Sequence, residues 1–223
     1  MATFELLHGA WHDTSCWELL VPELQARGHD TITPALPLDD PSAGFADRAR
    51  PAIDALADVT GPVVIVGHSM SSAYAPLVAE ERDGALLVHL CPRLGPFAEP
   101  PGAPTAPFRA NLEFPPALPD GTTVWDPDVA IASIYRRLPA ERAHKLAERR
   151  VPMAMPPDEF PLPGHPDVPT VLIYAADDEF FEPAWERFMA RELLGIEPIE
   201  IGGGHFPMIE DPSGLAEVLV SLV

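Results

Sequence analysis

The chain is short of positive charge. Its 14 Lys and Arg residues face 34 Asp and Glu, only one lysine is present (Lys145), and the formal net charge is −20. So acidic a surface repels phosphate backbones and anionic headgroups, which argues against nucleic acid or a membrane as partner. It also does nothing to attract an anionic substrate. Cysteine is scarce too. Cys16 and Cys91 form no C-x-x-C pair, so two buried thiols in a reducing compartment are expected rather than a disulfide. No apolar stretch approaches the ~20 residues that span a bilayer. The opening residues lack the basic segment and apolar run of a secretory leader, which points to the cytoplasm. No internal repeat is visible. No His, Cys, Asp or Glu cluster has ligand spacing, so neither a metal nor a cofactor is expected.

What is present suits one globular unit: 223 residues, 47% of them hydrophobic. Short apolar runs alternate with helical patterns. Runs at 4–7, 31–33, 62–66, 85–90, 170–174 and 197–201 read as strands. Residues 15–27, 44–59, 70–82, 183–194 and 213–222 read as helices, with a kink or interruption expected at Pro51. The run at 62–66 is apolar without alternation, as in a strand covered on both faces. The alternation predicts a six-stranded, mainly parallel sheet with helices on both faces. Between 92 and 169 the pattern gives way to proline-rich sequence with helices expected over 128–137 and 140–150. The expected organisation is a core of residues 1–92 and 169–223 with an inserted cap, 93–168, over the sheet's C-terminal edge.

Four motifs fall at strand ends. Gly67-His68-Ser69-Met70-Ser71 follows the third strand and opens a helix, close to the G-x-S-x-G elbow that holds a nucleophilic serine above a sheet. Ser71 stands where that pattern has its last glycine, so the helix is expected to sit slightly further from the strand. His8-Gly9-Ala10-Trp11-His12 follows the first strand, where a loop supplies one N–H of an oxyanion hole. Ala10 and Met70 are the candidate donors. Gly202-Gly203-Gly204-His205-Phe206 follows the last strand and leaves His205 free to reach Ser69. Of eight histidines, only His205 sits in a late, glycine-rich loop. Finally, Asp177 and Asp178 follow the fifth strand, where an acid would orient the imidazole. Consecutive residues of an extended chain point in opposite directions, so only one is expected to face His205.

Together these motifs resemble α/β-hydrolases of the plant methyl-esterase and hydroxynitrile-lyase group and its bacterial relatives. The likeness rests on the opening Leu6-Leu7-His8-Gly9-Ala10-Trp11, on Gly67-His68-Ser69-Met70, and on Gly203-Gly204-His205-Phe206-Pro207-Met208-Ile209-Glu210-Asp211-Pro212. It covers both flanks of the chain and leaves 93–168 unplaced. It implies a helical cap, no cofactor and hydrolysis of small carboxylic esters. Hydroxynitrile lyases of this group place a lysine after the histidine; Phe206 stands there instead. Resembling hydrolases also show an acid, a variable residue, two apolar residues, another variable residue and proline. Asp178 to Pro183 fits that frame and Asp177 does not, so Asp178 is the expected acid.

The expected chemistry is attack by Ser69, with His205 as base and Asp178 as orienting acid, on a small-molecule ester. Trp11, Phe108, Phe114, Trp125, Ile134, Tyr135 and Phe206 are the expected pocket walls. A homodimer is left open. The alternatives on the same fold are a lyase, a cofactor-free oxygenase or a slow-turnover ligand receptor.

Overall fold

A computed structural model describes residues 1–94 and 97–223; residues 95 and 96 of the expected insertion lie outside them. Six parallel strands form one sheet in the order β2-β1-β3-β4-β5-β6: β1 (Thr3–Leu7), β2 (Asp30–Ile32), β3 (Val63–His68), β4 (Leu86–Leu90), β5 (Thr170–Ala175) and β6 (Ile199–Ile201). Every residue of β1 and β3 is buried, as expected of central parallel strands covered on both faces.

Right-handed crossovers dictate where the helices go. The chain steps outward from β1 to β2 and then back across to β3. This sends α1 (Leu20–Ala26) to one face and α2 (Phe45–Ala55), α3 (Ala75–Glu80) and α6 (Pro183–Glu192) to the other. In agreement, α1 packs with α8 (Pro212–Val220), and α2 packs with α3. The reversal makes the gap between β1 and β3 the topological switch, where such sheets leave a crevice at their C-terminal ends.

Some elements differ from expectation. The helix through Pro51 is not interrupted; α2 continues to Ala55. Residues 70–82 do not form one helix. A 3-10 turn, Ser69–Ala73, precedes α3, because Pro76 has no N–H to continue a ladder and is accommodated only in a first turn. Helix α4 (Pro127–Ala132) stops five residues early. There the Ser133 hydroxyl donates to the Val129 carbonyl at 2.6 Å and competes with the backbone ladder. A short helix after His205, α7 (Pro207–Glu210), was not foreseen.

The segment between β4 and β5 carries α4 and α5 (Ala140–Arg149) and otherwise irregular chain. Backbone hydrogen bonds fasten it to loops at the sheet's C-terminal edge. Val151 N donates to Trp11 O, Ala154 N to Leu38 O, Arg109 N to Phe180 O, and Glu182 N to Pro107 O, at 2.8–3.0 Å.

Candidate active site

Ser69 has φ 53°, a left-handed conformation that is uncommon for serine and marks a sharp turn out of β3. The turn needs Gly67, where a Cβ would stand 2.8 Å from the Ala75 Cβ and 2.9 Å from the Ser71 carbonyl oxygen. That approach shows the helix closing onto the strand despite Ser71. The Ser71 side chain is fully buried, and its hydroxyl donates to the His8 carbonyl, tying the turn to the loop after β1.

That loop is braced at four consecutive carbonyls. His8 O accepts from Ser71, Gly9 O from His8 Nδ1 at 3.2 Å, Ala10 O from His12 Nδ1 at 2.7 Å, and Trp11 O from Val151 N at 3.0 Å. The far ring nitrogens accept from Leu36 N–H (3.1 Å, on His8) and Tyr135 O–H (2.8 Å, on His12), which selects the Nδ1–H tautomer of both rings. Burial lowers both imidazoles, His12 to about 4, so they stay neutral. The Gly9–Ala10 peptide is thus held from its carbonyl side while its N–H donates to no described residue. Met70 N–H is equally unengaged. Gly9 lies so close to the elbow that a Cβ there would come within 3.1 Å of the Ser69 Cβ.

His205 reaches Ser69 from the β6 side. Its Nε2 lies 3.0 Å from Ser69 Oγ and its Nδ1 2.7 Å from Asp178 Oδ2. Asp178 is wholly buried, and its other oxygen accepts from Phe180 N (2.6 Å) and Phe181 N (2.9 Å). Asp177 instead is 60% exposed and pairs with Arg137 at 3.2 Å. The His205 backbone is fastened too. Its N–H donates to Glu179 Oε2 at 3.0 Å, and its carbonyl accepts from His68 Nε2 at 2.8 Å. Burial raises the Glu179 carboxyl and lowers the His68 imidazole. A Cβ at Gly204 would stand 2.4 Å from Glu179 Oε2, so a side chain there would displace the carboxylate that holds the His205 N–H. The Phe180 ring lies 4.4 Å from that of His205, restricting its swing.

Ser69, Ala10 and Met70 open on a cavity of about 470 Å³. Trp11, Phe108 and Phe114 are among its lining residues. Trp125, Ile134, Tyr135 and Phe206 are not; all are at most 2% exposed and pack behind the wall. Trp125 meets Trp11 and Phe180 edge-on, Tyr135 is spent on His12, and Phe206 packs on His12 and Tyr135. Sequence reasoning did not place Phe180, Phe181, Met153, Met155 and Arg93 in the wall. It also passed over Arg48, which is fully buried. Arg48 donates to Ala43, Asp40 and Ala154 carbonyls and to Tyr74 Oη at 2.7–3.2 Å, bracing the wall at Ala154.

A pyrethroid hydrolase of Sphingobium wenxiniae (strain DSM 21828 / CGMCC 1.7748 / JZ-1) is 27% identical over 240 residues, covering 96% of this chain and 85% of that protein. The crystal structure of a pyrethroid hydrolase from Sphingobium faniae JZ-2 matches with a TM-score of 0.79 at 22% identity, covering 100% of this chain and 97% of that one. A polyneuridine aldehyde esterase mutant matches with a TM-score of 0.77 at 17% identity, covering 100% and 99%. The two structural likenesses show the fold. The sequence profile described as "Alpha/beta hydrolase family" matches residues 6–218, nearly the whole length, and the chain therefore belongs to the alpha/beta hydrolase family.

Proposed function

We propose that this protein is a serine hydrolase of carboxylic esters that works through an acyl-enzyme. The observation that carries the reading is the unbroken path Ser69–His205–Asp178, hydrogen-bonded at 3.0 and 2.7 Å, at the floor of an apolar cavity. As Ser69 Oγ bonds to the ester carbonyl carbon, His205 Nε2 takes its proton, and Asp178 stabilises the imidazolium at Nδ1. The N–H groups of Ala10 and Met70, both without a competing acceptor among the described residues, bind the oxyanion. Collapse of the intermediate breaks the ester C–O bond, and His205 returns the proton to the leaving alcohol. Water, deprotonated by His205, then releases the acid and regenerates Ser69. Every proton transfer uses a group of the chain itself, so neither a metal nor a cofactor is called for.

The segment 93–168 acts as a cap in this reading, because it supplies half of the cavity's aromatic and methionine walls: Phe108, Phe114, Met153 and Met155. Those walls suit esters with a bulky apolar part, in keeping with the ester-cleaving relatives. No helix of the described residues is long and apolar enough to cross a membrane. Cys16 and Cys91 are free and buried, which fits the reducing cytoplasm. A panel of p-nitrophenyl esters of increasing chain length, assayed with the wild type and Ser69→Ala, tests the proposal. Wild-type turnover and a loss on the order of 10⁴-fold in the variant are expected. A folded Ser69→Ala protein keeping a tenth of the activity would remove Ser69 from the chemistry.

A further inference from the structure

Among the described residues, Arg93 is the only charged one in the cavity lining. It is half-buried two residues after Cys91, and its N–H donates to the Ser69 carbonyl at 3.1 Å, so it sits in the strand-end loop beside the elbow. Its guanidinium carbon stands 5.8 Å from the centre of the Phe108 ring, itself a wall. Among the described residues the side chain makes neither an ion pair nor a hydrogen bond. Arg48 is the informative contrast. The Arg48 guanidinium places four N–H bonds on protein oxygens, whereas among the described residues the Arg93 guanidinium places none. Arginine keeps its charge even when burial disfavours it, as here. A partly desolvated guanidinium aimed along an apolar wall lacks a counterpart that a substrate can supply.

We propose that Arg93 determines specificity by binding a carboxylate on the substrate, so that the preferred substrates are esters carrying a second, ionised acid group. This rests on the esterase reading and names its substrate class. A guanidinium presents a planar fork that matches a carboxylate, and such charge-assisted pairs are about twice as strong as neutral ones. The apolar walls beside it accommodate a hydrocarbon spacer between ester and acid. The surface charge of −20 slows the approach of an anion, but it is solvent-screened, whereas the pair within the cavity is not.

The test compares monomethyl esters of linear dicarboxylic acids, from succinate to suberate, with their dimethyl esters, which keep the shape and lose the charge. Proton release is followed in a pH-stat. At the best spacer length, kcat/KM is expected to favour the half-ester by roughly 10- to 100-fold. In Arg93→Met that ratio should collapse to near one, with Arg93→Lys in between. A ratio of two substrates on one preparation is insensitive to the fraction of protein that is folded. A wild type indifferent to the charge at every length, or an Arg93→Met variant that keeps the preference, overturns the proposal. Calorimetric binding of the half-esters to Ser69→Ala, with and without Arg93→Met, separates the two readings. Arg93-dependent binding without any wild-type turnover would sink the esterase reading and leave only the recognition of a carboxylate by Arg93 standing. Neutral-ester turnover with Arg93-independent binding would do the reverse.

Discussion

The sheet's C-terminal edge and the segment between β4 and β5 face the same cavity but are built differently. At the edge, Asp178, His205 and the Gly9–Ala10 peptide are each gripped by hydrogen bonds to buried groups. Across from them, Phe108, Phe114, Pro115, Met153 and Met155 offer only shape, and Phe114 and Met155 are 47% and 55% exposed. Positions that must hold reacting atoms to a fraction of an ångström sit in hydrogen-bonded turns at strand ends. Positions that need only exclude water sit on chain tied down by scattered backbone bonds. Substitutions at the edge should therefore damage the rate for every ester, and substitutions opposite should redistribute preference among esters.

The largest expected effect separates two neighbours at the edge itself. Asp178→Asn removes the charge beneath His205 and can hold the wrong imidazole tautomer, a change that costs roughly 10⁴-fold in kcat in a serine protease. Asp177→Asn breaks only an exposed pair with Arg137 and should cost a few-fold at most. Both are to be assayed on one ester after circular dichroism shows them folded. The opposite order of damage would move the orienting role to Asp177.

An intermediate effect concerns stability and a buried carboxyl in the sheet. Glu5 lies wholly buried in β1 with both carboxyl oxygens unpartnered among the described residues, and burial raises its pKa from 4.5 to about 8. The fold favours the protonated acid. Its stabilising contribution is full below pH 4.5 and is lost as pH rises towards 8. The buried histidines His8, His12, His68 and His89 have lowered pKa values and act in the opposite sense below their ordinary range. The clean readout is therefore a difference. The melting temperature of Glu5→Gln minus that of wild type should climb between pH 4.5 and 8, by on the order of 10 °C in all. A difference that stays constant across that window would show that Glu5 ionises as readily folded as unfolded.

The smallest effect probes the facing wall. Phe114→Ala trims a half-exposed ring that meets Trp11 and Phe108, so it should cost little stability. It should raise KM for bulky esters several-fold and leave kcat on a short ester nearly unchanged. An equal fall in kcat for both would show that the wall helps to place the reacting carbonyl, and the contrast between the two regions would fail.

The two regions also differed in how far they could be read from sequence. The apolar runs of β1, β3, β4 and β5 announce themselves because both faces of those strands are covered, while Gly67 marks a close backbone approach and Gly203 a left-handed turn. Hence Ser69 and His205 could be singled out and an acid expected after β5, while the choice of Asp178 over Asp177 came from the family resemblance; Ser69, His205 and Asp178 lie within hydrogen-bonding distance in the fold. The intervening segment has little periodicity. Phe108 and Trp125 are both large and aromatic, and nothing in the sequence says that the first turns to the cavity and the second behind it. Arg48 and Arg93 were equally opaque, since an arginine's partners are set by loops distant in the chain. Pro76 was legible in principle as the reason why residues 70–82 divide into two helical pieces.

Only three residues other than glycine have positive φ among the described residues: Trp11 (60°), Ser69 (53°) and Cys91 (44°). They follow β1, β3 and β4, three adjacent strands, on the rim of one crevice. Such conformations cost about 1–3 kcal/mol each, and at Ser69 glycine would relieve that cost while deleting the hydroxyl. Selection for heat resistance alone would thus reward loss of the very atom proposed to react, and the most durable descendants of this chain would be inert. Thermostabilising efforts should leave this rim alone and work on the helices beneath the sheet.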